Sequence, residues 1–204
     1  MIWHLNKIQY PIYNLGLGKR IGIWVQGCSI HCKGCINQSL WNKENGKKLS
    51  VPAVYEMVNH LCKSYDGITI TGGEPFEQYP QLMAFCMLLK RKTKLNIFCY
   101  SGYYLSELET KFPDKAFYKC IDFLVDGRYD LKKQTGNTMK GSGNQNIYAF
   151  SEGKAVKIEL ENSAKTWSIK CEGDLIYMAG IPKDFAMNRL FKKLDESNLK
   201  ANLT

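Results

Sequence analysis

Arg20-Ile-Gly-Ile-Trp-Val-Gln-Gly-Cys28-Ser-Ile-His-Cys32-Lys-Gly-Cys35 is the stretch on which the reading of this chain turns. Its first half, Arg20 to Gln26, is apolar and β-branched, the pattern of a buried strand. Gly27 then turns the chain directly into three cysteines, spaced Cys-x3-Cys-x2-Cys. A cube of four irons takes four thiolates; this loop supplies three, which leaves one iron open. Open metal positions belong to catalytic sites and closed ones to structural sites. A zinc knuckle needs a fourth Cys or His at matching spacing, and Cys62, Cys86, Cys99, Cys120 and Cys171 form no such pair. The N-terminus shows no secretory pattern, which argues against disulfides. Cys28, Cys32 and Cys35 are therefore expected to hold an iron–sulfur cluster, with His31 a bystander inside the motif.

The flanking chain gives that loop a place in a fold. Gly67-Ile-Thr-Ile-Thr71 is a second short apolar run, and it ends in Gly72-Gly73-Glu74-Pro75. Two glycines let backbone come close to a ligand, and the Glu74 carboxylate can bind an ammonium group. Further strands are expected at 95–100 and 121–125. Helical spacing recurs at 51–64 (Val54, Met57, Val58, Leu61), at 80–92 (Leu82, Phe85, Cys86, Leu89) and at 105–111. Ser50 is the expected N-cap of the first helix, with Pro52 in its first turn. Strands alternating with helices predict a parallel α/β sheet, and ligands at the C-terminal end of a strand are where such folds put active sites. The 204 residues fall short of the roughly 250 of a closed eight-fold barrel, so a partial, laterally open (β/α) barrel is expected.

Beyond residue 142 the rhythm changes. Residues 154–160, 165–171 and 175–178 read as antiparallel strands with turns at 162–163 and 172–173, and a final amphipathic helix is expected at 183–196. The expected organisation is a core at 1–150 and, packed on it, an antiparallel β-plus-helix appendage at 151–204. That appendage is too short to bury much core by itself.

Cys-x3-Cys-x2-Cys followed by Gly-Gly-Glu-Pro resembles the radical S-adenosylmethionine superfamily. The segments Phe98 to Tyr103, Ile121 to Gly127 and Gly141 to Gln145, together with Gly27-Cys28 and Cys35-Ile-Asn37, narrow the resemblance. They point to the glycyl-radical activase branch that serves the anaerobic ribonucleoside-triphosphate reductase, over roughly residues 10–150. The resemblance implies a 4Fe-4S cluster and S-adenosylmethionine as cofactors, with the methionine amino and carboxylate groups on the open iron. It implies that Gly72, Gly73 and Glu74 meet that amino group and that the Gly34 backbone lies near the adenine. Reductive cleavage of the sulfonium then yields a 5′-deoxyadenosyl radical, chemistry that the protein positions and shields.

Other residues leave alternatives open. Ser101 either hydrogen-bonds the cofactor or stabilises the turn before Gly102. Asp126 either faces the same pocket or caps the turn with Gly127. Asn144 and Gln145 carry no assigned chemistry. Trp24 and Trp41 flank the cysteine loop and are read as core packing, and Cys62 and Cys86 as buried, inert thiols.

The net charge of +9 is spread along the chain, with no arginine-rich strip or aromatic platform, so nucleic acid is not an expected partner. An acidic, flavodoxin-like electron donor fits that charge. No apolar run approaches the roughly 20 residues that cross a membrane. Eight cysteines without an export signal predict a reducing cytoplasm. Three functions stand on these grounds. The first is an activase that generates a glycyl radical on a large partner enzyme. The second is a radical enzyme modifying a peptide, a protein or a small heterocycle, which the unmatched tail favours. The third is a non-catalytic iron–sulfur sensor, against which the joint presence of the three cysteines and Gly72-Gly73-Glu74 speaks.

Overall fold

The computed structural model describes residues 1–134, 139–160, 167–172, 175–180, 189, 192 and 193. They form a mixed α/β fold. In chain order the elements are β1 (Ile2–Ile12), β2 (Arg20–Val25), β3 (Lys47–Ser50), α1 (Val51–Asn59), β4 (Gly67–Gly72), α2 (Tyr79–Lys92), β5 (Asn96–Tyr100) and α3 (Leu105–Lys111). There follow β6 (Phe123–Asp126), β7 (Asn146–Ser151), β8 (Lys154–Ile158), β9 (Trp167–Glu172) and β10 (Leu175–Gly180). One eight-stranded sheet runs in the order β3-β1-β2-β4-β5-β6-β7-β8, and β9 pairs with β10 in a separate ribbon. The middle four strands, β2, β4, β5 and β6, are parallel, with Val25 level with Gly72. The outer strands are antiparallel. The carboxyl ends of the middle strands therefore lie together on one edge, where open α/β sheets bind ligands.

The helices form where the sequence supplies a start signal and an apolar stripe. Ser50 caps α1 by accepting from the Ala53 N–H at 3.3 Å, Pro52 sits in the first turn, and Val51, Val54, Tyr55 and Val58 are buried. The helix stops at Asn59, and the rest of the expected span to residue 64 ends in a short 3₁₀ turn, Cys62–Ser64. Helix α2 buries Leu82, Met83, Phe85, Cys86 and Leu89, and its last turn, Lys90 to Lys92, is basic, which suits the negative end of the helix dipole. Both pack on Ile21, Ile23, Ile68, Ile70 and Ile97 of the sheet.

The opposite face of the sheet, free of α1, α2 and α3, carries Trp24, Phe98, Tyr100 and Val125. Three strands lie outside the expected set: β1, β3 and β7. The expected strand at 154–160 is β8, which joins the main sheet through β7. The expected pair at 165–171 and 175–178 is the β9–β10 ribbon. Of the final helix expected at 183–196, residues 189, 192 and 193 are described and are helical; the rest of it and the turn at 162–163 lie outside the described residues.

Arg20 enters this face from the amino end of β2 and is fully buried. Its Nε donates to Thr69 Oγ1 (2.7 Å), Nη1 to the Leu17 carbonyl (2.7 Å) and Asn96 Oδ1 (2.6 Å), and Nη2 to the Ile68 (2.6 Å) and Asn96 (3.2 Å) carbonyls. All five N–H groups are thus placed. Burial pulls the guanidinium down to about 10, still charged at neutral pH. Replacing it leaves several buried acceptors unmet, so Arg20→Met is expected to cost about 3 kcal/mol or more. Thermal unfolding followed by circular dichroism should show a fall of roughly 6–12 °C.

Candidate iron–sulfur active site

The strand β2 ends at Val25, and the chain leaves the sheet into the cysteine loop through a tightly held stem. Gly27 N donates to the Leu40 carbonyl (2.7 Å) and Cys28 N to the Trp41 carbonyl (3.0 Å). Gln26 Nε2 binds the Ser39 (3.0 Å) and Asn42 (2.9 Å) carbonyls, so the loop is closed at its base. Its far side is held by Glu77, whose carboxylate accepts from Ser29 N (2.9 Å), Ser29 Oγ (2.6 Å) and Tyr103 Oη (3.4 Å). His31 takes a left-handed φ of 51° and stacks on Trp41 at 4.4 Å. Gly34 adopts φ 78°, which a side chain would strain, with Leu131 packed beside it. A cavity of about 230 Å³ opens at the loop, walled by Cys28, Ser29, His31, Trp41, Lys43 and Glu77.

The second wall comes from the end of β4. Gly73 N donates to the Val25 carbonyl and Glu74 N to the Gly27 carbonyl, each at 2.8 Å. A Cβ at position 73 would lie 2.2 Å from the Gly27 carbonyl oxygen, and one at 72 would lie 2.7 Å from that of Val25. The glycine pair is thus where β4 clasps the stem of the cysteine loop backbone to backbone. Beyond it the Glu74 side chain turns inward, 1% exposed. Its Oε1 accepts from Phe76 N (3.0 Å) and Ser101 Oγ (2.9 Å), and its Oε2 from Gly102 N (2.7 Å). Three of about four acceptor positions are filled, and the open one is on Oε2. Burial pushes this carboxyl up to about 7, against the three donors.

Of the residues singled out from sequence, the structure brings Cys28, Gly72, Gly73, Glu74 and Ser101 together. Asp126 points elsewhere: it accepts from Leu105 N (2.6 Å) and from the N (3.2 Å) and Nδ2 (2.9 Å) of Asn146, tying α3 to β7. Asn144 and Gln145 acquire a role that sequence did not assign. Asn144 Nδ2 donates to the Arg128 carbonyl (2.8 Å) and Gln145 Nε2 to that of Gly127 (2.7 Å), clamping the turn after β6. Arg128, also missed, forms a bidentate pair with Glu107 (2.6 and 2.8 Å). Glu77 escaped the reading because its partner Ser29 is 48 residues away, a distance no local pattern spans.

The chemistry of the donor set fits an iron–sulfur cluster. Cys28, Cys32 and Cys35 are free, half-buried thiols on one loop. Burial pushes Cys28 up to about 11 and raises Cys35 as well, so both await a metal to displace their protons. Among the described residues no three His, Cys, Asp or Glu side chains converge on a single ion. A cube asks for a wider spread, because each thiolate takes a different iron. The buried Trp41 indole N–H is directed at the Cys35 sulfur, so a donor stands ready beside that ligand.

The arrangement is that of an iron–sulfur enzyme. The profile of the 4Fe-4S single cluster domain family matches residues 14–148. The anaerobic ribonucleoside-triphosphate reductase-activating protein of Enterobacteria phage T4 is 31% identical over 144 residues, 68% of this chain and 88% of that protein. Its counterpart from Vibrio cholerae is 33% identical over 152 residues, 70% of this chain and 96% of that protein. The pyruvate formate-lyase-activating enzyme of Listeria monocytogenes is 32% identical over 79 residues, 37% of this chain and 32% of that enzyme. The solved structure of QueE from Escherichia coli overlays 50% of this chain and 53% of its own at 19% identity, with a TM-score of 0.43. The chain belongs to the radical S-adenosylmethionine superfamily, in the family of anaerobic ribonucleoside-triphosphate reductase-activating proteins. Its cofactors are accordingly a 4Fe-4S cluster and S-adenosylmethionine.

Glu77 is the anchor most open to test. Glu77→Ala frees the Ser29 end of the loop while leaving the core untouched, since the carboxylate is exposed. The variant is expected to keep its Tm and to lose iron to a chelator about tenfold faster than the parent, the lower end of the range for groups that orient metal ligands.

Proposed function

We propose that this chain generates a glycyl radical on an anaerobic ribonucleoside-triphosphate reductase. In this reading Cys28, Cys32 and Cys35 hold the cluster, and Gly72, Gly73 and Glu74 seat S-adenosylmethionine beside it. When bound, the two cofactors supply reductive cleavage and the 5′-deoxyadenosyl radical that removes hydrogen from a backbone glycine of the partner. The observation that carries the reading is the clasp between the cysteine loop and β4. It sets the one open acceptor of a buried carboxylate next to the stem of a three-thiol loop.

Within the site, Glu74 Oε2 receives the methionine ammonium, and its other contacts hold the carboxylate still while it does so. Ser101 positions Glu74 rather than acting alone. The Gly34 backbone, bare of side chain, lies toward the adenine. Asp126 contributes by tying α3 to β7 at the end of β6. The sheet serves as a partial, laterally open (β/α) barrel, with β3 and β8 as its free edges. Such an opening suits a macromolecular substrate, whose inserted loop closes the site and excludes water. Residues 1–150 carry this chemistry and residues 151–204 form an appendage on it. A net charge of +9 supports docking of an acidic, flavodoxin-like electron donor. No helix among the described residues is long and apolar enough to cross a membrane, in keeping with work in a reducing cytoplasm.

Two measurements test this. Cys32→Ala, reconstituted anaerobically, is expected to give no 5′-deoxyadenosine while staying folded, because the ligand sits on a loop; full cleavage would overturn the assignment. The Glu74 carboxyl, pushed up to about 7, must be ionised to bind an ammonium group. Cofactor affinity should therefore rise roughly tenfold between about pH 6 and 8, as the ionised fraction does. Glu74→Gln is expected to flatten that dependence and to weaken binding by roughly ten- to a hundredfold. A titration of the reconstituted protein showing neither change would mean that the ammonium lies elsewhere.

A further inference from the structure

The β9–β10 ribbon touches the rest of the molecule at a telling place. Asn14 Nδ2 donates to the Ala179 carbonyl at 2.6 Å, across 165 residues of chain. Ala179 itself is 3% exposed, sunk among Ile12, Leu15, Trp24, Leu40 and Tyr100 on the helix-free face. Each of the last three abuts the site. Leu40 supplies the carbonyl that holds Gly27, the residue before Cys28. Trp24 lies just before the stem of the cysteine loop, and Tyr100 is followed by Ser101. The ribbon is thus seated on residues that lead along the backbone into both walls of the active site.

Two further observations bear on what this contact is for. The family profile ends at residue 148, and 70% of this chain spans 96% of the Vibrio cholerae relative. The ribbon is therefore an addition to a unit that relatives complete without it. The seat is also imperfect. Asn14 Oδ1 and Gln9 Oε1 are buried without a hydrogen-bond partner. Gln9 is level with Gly22, whose missing side chain makes room for Trp24, so both oxygens belong to this same face. Buried carbonyl oxygens call for N–H donors, and an extended polypeptide backbone presents them in a row.

We propose that the β9–β10 ribbon is a strap across the helix-free face, and that an extended segment of the partner polypeptide displaces it on its way to the cluster site. This rests on the proposed action on a partner enzyme. The strap keeps the face covered when the partner is absent, and the incoming segment gains the donors' places on Gln9 and Asn14 that the strap leaves empty. A partner lacking such a segment is kept out.

The test uses the full chain with its cluster reconstituted and, as probe, the anaerobic ribonucleoside-triphosphate reductase of the same organism. Hydrogen–deuterium exchange at 175–180 is expected to speed up when the reductase binds. Ala179→Asp places a charge in the apolar seat and should free the strap. It is expected to lower the reductase concentration that gives half-maximal glycyl radical by electron paramagnetic resonance, about tenfold if the strap is docked nine-tenths of the time. Asn14→Leu removes the strap's donor and also an acceptor offered to the incoming segment, so its readout is the free chain, where exchange at 175–180 should speed up. Exchange at 175–180 that stays slow in the complex, or an Ala179→Asp chain that binds the reductase no more tightly, would overturn the strap while leaving the activase reading intact. A wild-type chain that cleaves the cofactor yet puts no radical on the reductase overturns both. Circular dichroism and iron content establish that the variants are folded; if neither folds, the wild-type exchange result decides.

Discussion

A single buried guanidinium sets the frame on which this site is mounted. Arg20 spends all five N–H groups on the amino ends of β4 and β5 and on the loop that precedes β2. Among the described residues no carboxylate pairs with it, so its charge is spread over carbonyl and amide dipoles and felt at a distance by Asp66 and Asp122. Thr69 passes the network on by donating to the Leu15 carbonyl. A charge buried in this way tolerates little movement of its acceptors, because each lost contact leaves an uncompensated group in a dry interior. Three parallel strands are thereby fixed in register at one end, and whatever is built at their other end inherits that register.

What is built there is a junction of two loops. The cysteine loop is tied at its base to Leu40 and Trp41, on its flank to Glu77, and along its stem to Gly73 and Glu74. Glu74 in turn ties β4 to the turn after β5. The iron ligands are thus on a loop whose backbone is nowhere free for more than a few residues. Within the cysteine segment proper, His31 and Gly34 take left-handed conformations.

Much of this was legible in the sequence, and the gaps have physical reasons. The cysteine spacing, the Gly-Gly-Glu turn and the four parallel strands read directly because each is a short, local pattern. Strand β1 did not, because irregularities between Leu5 and Lys7 and between Gln9 and Ile12 break its two-residue alternation. Strand β3 is a four-residue edge whose two exposed lysines mimic a loop. In β7, Ile147 and Phe150 are buried on opposite faces, which blurs the alternation. Glu77, Arg128 and Gln145 matter only through partners brought near by the fold. Asp126 was seen as a choice between pocket and turn, and its carboxylate went to Leu105 and Asn146.

The cysteines away from the loop carry a different lesson. Cys86, Cys99 and Cys120 are buried in the core, and burial drives the thiols of Cys86 and Cys99 well above their ordinary range. In the folded chain these three are out of reach, so incoming iron meets the three loop thiols and the lone, half-buried Cys62. In an unfolded chain every cysteine competes on equal terms, and iron would be scavenged into mixed, wrongly spaced sets. The apolar core therefore acts as a filter on ligand choice: in a chain that folds before it is metallated, three competing sulfur atoms are already hidden.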